Sequence, residues 1–138
     1  MSQVSPDIKA LVDKGFTCWN GGEIDLMVDD YADDAEVDTT TAVPDGRCYK
    51  GREEFVRYFH DLWDAWDRLR MEPLDVAEVG GGRFLVEVRL TGTGRSSGIE
   101  IDQRAGFLYT LHEQDRKVAR VQMFPSKDAA LEAAGLSE

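Results

Sequence analysis

Apolar residues recur at helical spacing near the start of the chain: Ile8, Leu11, Val12, Phe16 and Trp19 form one stripe, which predicts a first helix. Ser5-Pro6-Asp7 suits its start, because serine can cap, proline tolerates the first turn and aspartate favours the positive end of the helix dipole. Asn20-Gly21-Gly22 suits its end, since glycine accepts the left-handed conformation found there. Ile24, Met27, Val28 and Tyr31 predict a second, shorter helix from about Glu23 to Ala32. After Ala35 the pattern turns extended through Thr41, and "VPDGRCYKG" reads as a turn-rich loop. Gly51-Arg52-Glu53-Glu54 opens a third helix with Phe55, Val56, Phe59, Leu62, Trp63 and Trp66 on its apolar stripe.

From Met71 the chain reads as strands. "MEPLDVAEV" leads into a Gly80-Gly81-Gly82 hairpin turn. In "RFLVEVRLT", Phe84, Val86, Val88 and Leu90 take one face and Leu85, Glu87, Arg89 and Thr91 the other. After the turn "GTGRSSG", a long strand puts Ile99, Ile101, Gln103, Ala105, Phe107 and Tyr109 on one face, with Glu100, Asp102 and Arg104 opposite. A register pairing Val88 with Gln103, Val86 with Ala105, Arg89 with Asp102 and Glu87 with Arg104 sets opposite charges across the outer side. It leaves Gln103 as a polar residue on an apolar inner face, where its amide needs partners. "VARVQMF" is a last strand, and "KDAALEAA" a short helix closing on Gly135. Helices followed by a hairpin meander argue α+β: a helix layer on one face of a curved sheet, with a concave interior able to hold an apolar pocket.

With 138 residues, the length fits a single domain over 1–138. The net charge of −11 disfavours nucleic acid and anionic membrane surfaces as partners. Cys18 and Cys48 have no metal spacing and read as free thiols of a reducing cytoplasm. No leader-like apolar segment opens the chain, and no run approaches the roughly 18 apolar residues of a membrane span.

The stretch "DDYADDAEVD" is acidic but lacks the glycine and terminal glutamate of a calcium loop, and has no histidine or cysteine for a transition metal. No metal site is expected. His60 and His112 have no companion nucleophile at readable spacing and are expected to be solvated.

"WNGGEIDLMVDDYADDAEVD", "YKGREEFVRYFHDLWDAW", "GTGRSSGIEIDQRAGFLYTL" and a terminal "ALEAAGL" together resemble a SnoaL-like domain of the nuclear transport factor 2-like, ketosteroid isomerase-like superfamily. The resemblance covers nearly the whole chain. It implies a cone-shaped α+β fold, with N-terminal helices packed in the concave face of a curved antiparallel sheet. It also implies a deep apolar pocket and a homodimer through the sheet. It implies no single activity, because relatives include isomerases, cyclases, epoxide hydrolases and non-catalytic binding domains.

Carried over residue by residue, the isomerases' helix-borne tyrosine falls on Gly15 or Phe16, their general base on Thr39, and their protonated acid on Phe107. None of these can play the corresponding part, so ketosteroid isomerase chemistry is not expected.

What remains is a lone carboxylate. Asp38 is the candidate catalytic base, provided it faces the pocket, where desolvation would raise its pKa. Alternation makes Asp38 and Thr39 face opposite ways, and Thr39 competes for the inward place. The expected pocket lining is Trp19, Tyr31, Thr39, Phe59, Trp63, Val88, Gln103, Phe107, Tyr109, Val121 and Met123. Tyr109 is its expected polar donor. No cofactor is expected. Two functions follow: a cofactor-independent isomerase, cyclase or hydrolase acting on a small apolar molecule, or a non-catalytic ligand-binding or dimerisation module.

Overall fold

The computed structural model describes residues 4–135. Met1–Gln3, where the leader reading begins, and Leu136 of the terminal motif lie outside the described residues. Helix α1 (Pro6–Asn20) is followed by a single turn α2 (Ile24–Met27), a 3-10 turn at Val28–Asp30, and strand β1 (Tyr31–Asp38). Then come β2 (Cys48–Lys50), α3 (Arg52–Ala65), β3 (Trp66–Gly80), β4 (Arg83–Gly94), β5 (Glu100–Leu111), β6 (Val118–Phe124) and α4 (Lys127–Ala133). One curved, unclosed sheet runs in the order β2-β1-β6-β5-β4-β3. All its pairs are antiparallel except β1 with β6, which run parallel.

Helices α1 and α3 lie in the concave face. Ile8, Val12, Phe16 and Trp19 of α1, with Phe55 and Phe59 of α3, meet Phe84, Val86, Val88, Phe107 and Val121 of the sheet in one buried core. Trp19 donates its indole N–H to the Leu69 carbonyl at 2.7 Å. The Asn20 amide pairs with both backbone groups of Met71, at 2.8 and 2.9 Å. That contact ties α1 to β3 and covers part of an open sheet edge. On the convex face, Ala130 of α4 and Ala134 just after it are buried against Leu85, Leu108 and Phe124. Gly106 makes this approach possible, because a Cβ there would stand 2.6 Å from the Ser126 carbonyl oxygen.

Several expectations need correction. The second helix does not reach Ala32. Arg52 donates to the Val28 and Tyr31 carbonyls at 3.3 and 2.7 Å, and Tyr31 turns into the strand to pack on Phe55 and Phe59. The extended stretch ends at Asp38 rather than Thr41, and part of the "VPDGRCYKG" loop is the edge strand β2. Trp66 opens β3 instead of closing α3. There the Arg95 guanidinium takes the carbonyls of Asp64 and Trp66, at 2.9 and 3.2 Å. The β4–β5 register is two residues away from the expected one: Val88 faces Ala105, Val86 faces Phe107 and Arg89 faces Arg104. A shift of two preserves which face each residue takes. The opposite charges still meet diagonally, with Arg89 on Asp102 at 2.8 Å and Arg104 near Glu87 at 3.8 Å. Gln103 faces Leu90 near the strand end and is exposed, so no buried amide has to be satisfied there.

Candidate functional site

Helices α1 and α3 do not fill the concave interior. An inner cavity of about 50 Å³ lies between the first helix and the sheet. Its walls are mainly hydrocarbon and aromatic: Val12 and Phe16 from α1, Met27, Phe59, Phe84 and Phe107 among them. A wider groove of about 320 Å³ lies at the mouth of the cone, bounded by Thr39, Val43, Leu62, Trp66, Ile101 and Gln103 among others. Met71, Phe107 and Met123 line both spaces and form the wall between them.

Three residues of its lining carry polar side-chain groups that are not bonded to the sheet backbone: Asp30, Tyr31 and Tyr109. Asp30 ends the 3-10 turn before β1 and is ion-paired with Lys14 at 3.0 Å. The Tyr31 ring is held by Phe55 and Phe59, with centroids 5.4 and 5.9 Å away. Tyr109 stacks on Phe84 at 4.7 Å and 5°, directly across β4 and β5. Burial pushes the Tyr31 phenol well above its ordinary pKa, with the Tyr109 and Asp30 charges adding to the effect. Tyr109 as a residue keeps some exposed surface, but its phenol end is enclosed, and burial raises its pKa as well. Both phenols are therefore neutral hydroxyls at physiological pH, able to donate a hydrogen bond.

Six of the expected lining residues meet around the inner cavity: Trp19, Tyr31, Phe59, Phe107, Tyr109 and Met123. Thr39 and Gln103 line the groove instead. Trp63, Val88 and Val121 line neither space. Val88 and Val121 are closed in the core, and Trp63 packs edge-on against Trp19 at 5.4 Å. The residues that the sequence did not single out include Val12, Phe16, Met27, Asp30, Met71 and Phe84. The α1 stripe was the available signal for the first two. Asp30 was hidden in a run of acids that also holds the exposed Asp29, Asp33 and Asp34.

Asp38 lies in the wall of neither space. Its carboxylate accepts from the Thr40 backbone N–H at 2.9 Å and from the Thr40 hydroxyl at 2.6 Å, with the Arg120 guanidinium 3.4 Å away. Burial pulls its pKa up, but the Thr40 hydrogen bonds and Arg120 outweigh it and hold the carboxyl below its ordinary value. The condition set for Asp38 as a base, a pocket-facing carboxyl with a raised pKa, is not met by this geometry. Thr39 is the inward neighbour, 2% exposed, with its hydroxyl bonded to both backbone groups of Arg47 at 3.1 Å.

His60 and His112 sit at the surface beside Asp25 and Asp34, at 3.0 and 3.3 Å. Among the described residues, no three of His, Cys, Asp and Glu are grouped to hold a metal ion. Among them, too, no helix is long and apolar enough to cross a membrane.

The fold has many solved counterparts. A candidate SnoaL-like polyketide cyclase from Jannaschia sp. CCS1 superposes with a TM-score of 0.73 at 20% identity, over 100% of this chain and 99% of that one. The epoxide hydrolase/cyclase-like enzyme SalBIII, which has a role in pyran ring formation in the polyether salinomycin, gives 0.70 at 21% identity, over 84% and 88%. A Catenulispora acidiphila DSM 44928 protein of ketosteroid isomerase-like fold, in complex with trimethylamine, gives 0.73 at 14% identity, over 96% and 95%. At these identities the likeness speaks for the fold alone. No curated protein sequence matches the chain. The model of the SnoaL-like domain matches residues 12–121, and the chain belongs to that family.

Proposed function

We propose that this chain binds a small apolar molecule in the interior of its cone. The observation that carries the proposal is an inner cavity walled by hydrocarbon and aromatic groups, with two neutral phenols, Tyr31 and Tyr109, among its lining residues. A few convergent polar groups in an apolar recess are the usual composition of a small-molecule site. The test is thermal melting against a panel of hydrophobic ketones and epoxides. A ligand at about 100 times its Kd stabilises the folded chain by roughly 2.7 kcal/mol. No shift with any member, together with unmoved methionine methyl resonances, would overturn the proposal.

A second reading adds catalysis. It is favoured by Asp30, the one carboxylate residue in the lining of the inner cavity, as a group to exchange a proton with a bound substrate without a cofactor. Names among the structural relatives, cyclase and epoxide hydrolase/cyclase-like, supply the reaction classes to assay first. Asp30→Asn should then keep binding and abolish turnover. Retained turnover removes Asp30 from the mechanism, and no turnover on any substrate that binds favours the non-catalytic binding module. Asp38→Asn belongs in the same assay as the carboxylate singled out from the sequence. Pairing of two copies through the sheet is part of the same proposal.

A further inference from the structure

Gly15 stands apart from the other glycines of the chain. Glycine inside a helix lowers stability relative to alanine, so it calls for a reason in backbone conformation or close packing. Elsewhere that reason is visible: each other glycine either has a positive φ or would bring a Cβ to 3.4 Å or less from a neighbouring atom. Gly15 has neither. It lies inside α1 without a positive φ, and among the described residues nothing beyond its own stretch of helix comes within 4 Å of where its Cβ would stand. The fold has room for a side chain there, and the glycine leaves that room empty.

The second observation is where the room lies. Gly15 lines the inner cavity. Of the lining residues, Leu11, Gly15, Asp30 and Tyr109 keep partial exposure and the rest are buried. Leu11 and Gly15 are four residues apart on α1 and so share one face of it. Asp30 is tied to the same helix by Lys14, the residue before Gly15, at 3.0 Å. On the other side, Met71, Phe107 and Met123 are buried and part the cavity from the groove at the mouth of the cone.

We propose that Gly15 is the threshold of a side entrance to the inner cavity, between Leu11 on α1 and Asp30 on the turn before β1, and that small apolar molecules enter and leave there rather than through the groove. This rests on the binding function proposed above and adds a position that governs which molecules reach the site. Any side chain at residue 15 stands in the passage; glycine weakens the helix and keeps the way clear.

Xenon tests it, because it occupies dry apolar cavities without needing a polar contact. In the unaltered chain, xenon should move the methyl resonances of Val12 and Val118, which line the cavity. Xenon NMR saturation transfer then reads the rate of exchange between bound and free atoms. Gly15→Ala should melt no lower than the unaltered chain and should slow that exchange. Gly15→Cys allows the comparison within one folded sample, since methyl methanethiosulfonate caps the introduced thiol after folding. Capping should slow exchange at least about tenfold, which corresponds to a barrier raised by ~1.4 kcal/mol. The unaltered chain treated with the same reagent controls for Cys18 and Cys48, and its exchange should not change.

If xenon binds and its exchange is indifferent to residue 15, the entrance is overturned while the apolar cavity stands. If Val12 and Val118 do not respond to xenon, both proposals fail. A lower melting temperature for Gly15→Ala would mean that the fold itself requires the glycine, which overturns the inference. An introduced thiol that resists the reagent is closed to water, and that result overturns it too.

Discussion

At the scale of single residues, Asp38 and Thr39 show how neighbours in sequence divide between two environments. Strand alternation makes their opposite facing legible, but not the partners each finds. Thr40 lies two residues on and closes its hydroxyl and N–H onto the Asp38 carboxylate, a local turn no hydropathy pattern reveals. Because the folded pKa of Asp38 is depressed below 3.8, its ionised form stabilises the fold. That contribution is present above the unfolded pKa and is lost as pH falls through the folded value. Asp38→Asn should therefore cost on the order of 1 kcal/mol at neutral pH, a penalty that disappears in strong acid. Urea unfolding of both chains between pH 7 and pH 2 checks this, and a penalty independent of pH would refute the assignment. Thr39→Val should also cost about 1–3 kcal/mol, because it leaves the Arg47 N–H without its acceptor.

At the scale of elements, the periodic segments were readable and their junctions were not. The stripes of α1 and α3 and the alternation of β4 and β5 emerge from spacing alone. The ends of α2 and α3 are set by Arg52 and Arg95, whose guanidinium groups reach carbonyls far along the chain. The two-residue register error has the same origin, since hydrophobic pattern fixes the face and the turn fixes the pairing. Asn20→Ala removes both bonds to the Met71 backbone and should cost about 1–3 kcal/mol. Hydrogen exchange at the Met71 amide should quicken beyond any global change; an unaltered rate would argue that the edge is covered otherwise. Gly106→Ala forces α4 off the sheet or strains it, an overpacking cost of about 1–3 kcal/mol. Thermal melting should read this loss.

At the scale of the molecule, the concave interior was expected from the order of elements, and the family likeness agrees with it. The division of that interior into a cavity and a groove was not, because it depends on where Met71 and Met123 happen to rest. If two copies pair through the sheet, charged positions such as Arg89, Asp102 and Arg104 offer an interface that weakens as salt screens it. Sedimentation at low and high ionic strength tests the pairing: a monomer at both refutes it.

The parallel contact between β1 and β6 carries a consequence in time. Val37 waits for Val121, so the N-terminal helices and β1 emerge during synthesis long before the strand that seals them. Contacts this distant in sequence close slowly, while the β3–β5 hairpins need only near neighbours. Pulse-labelled exchange during refolding should find β4 protected ahead of β1. The early half of the chain must meanwhile keep its apolar faces from other molecules, a task to which its many acidic side chains are suited.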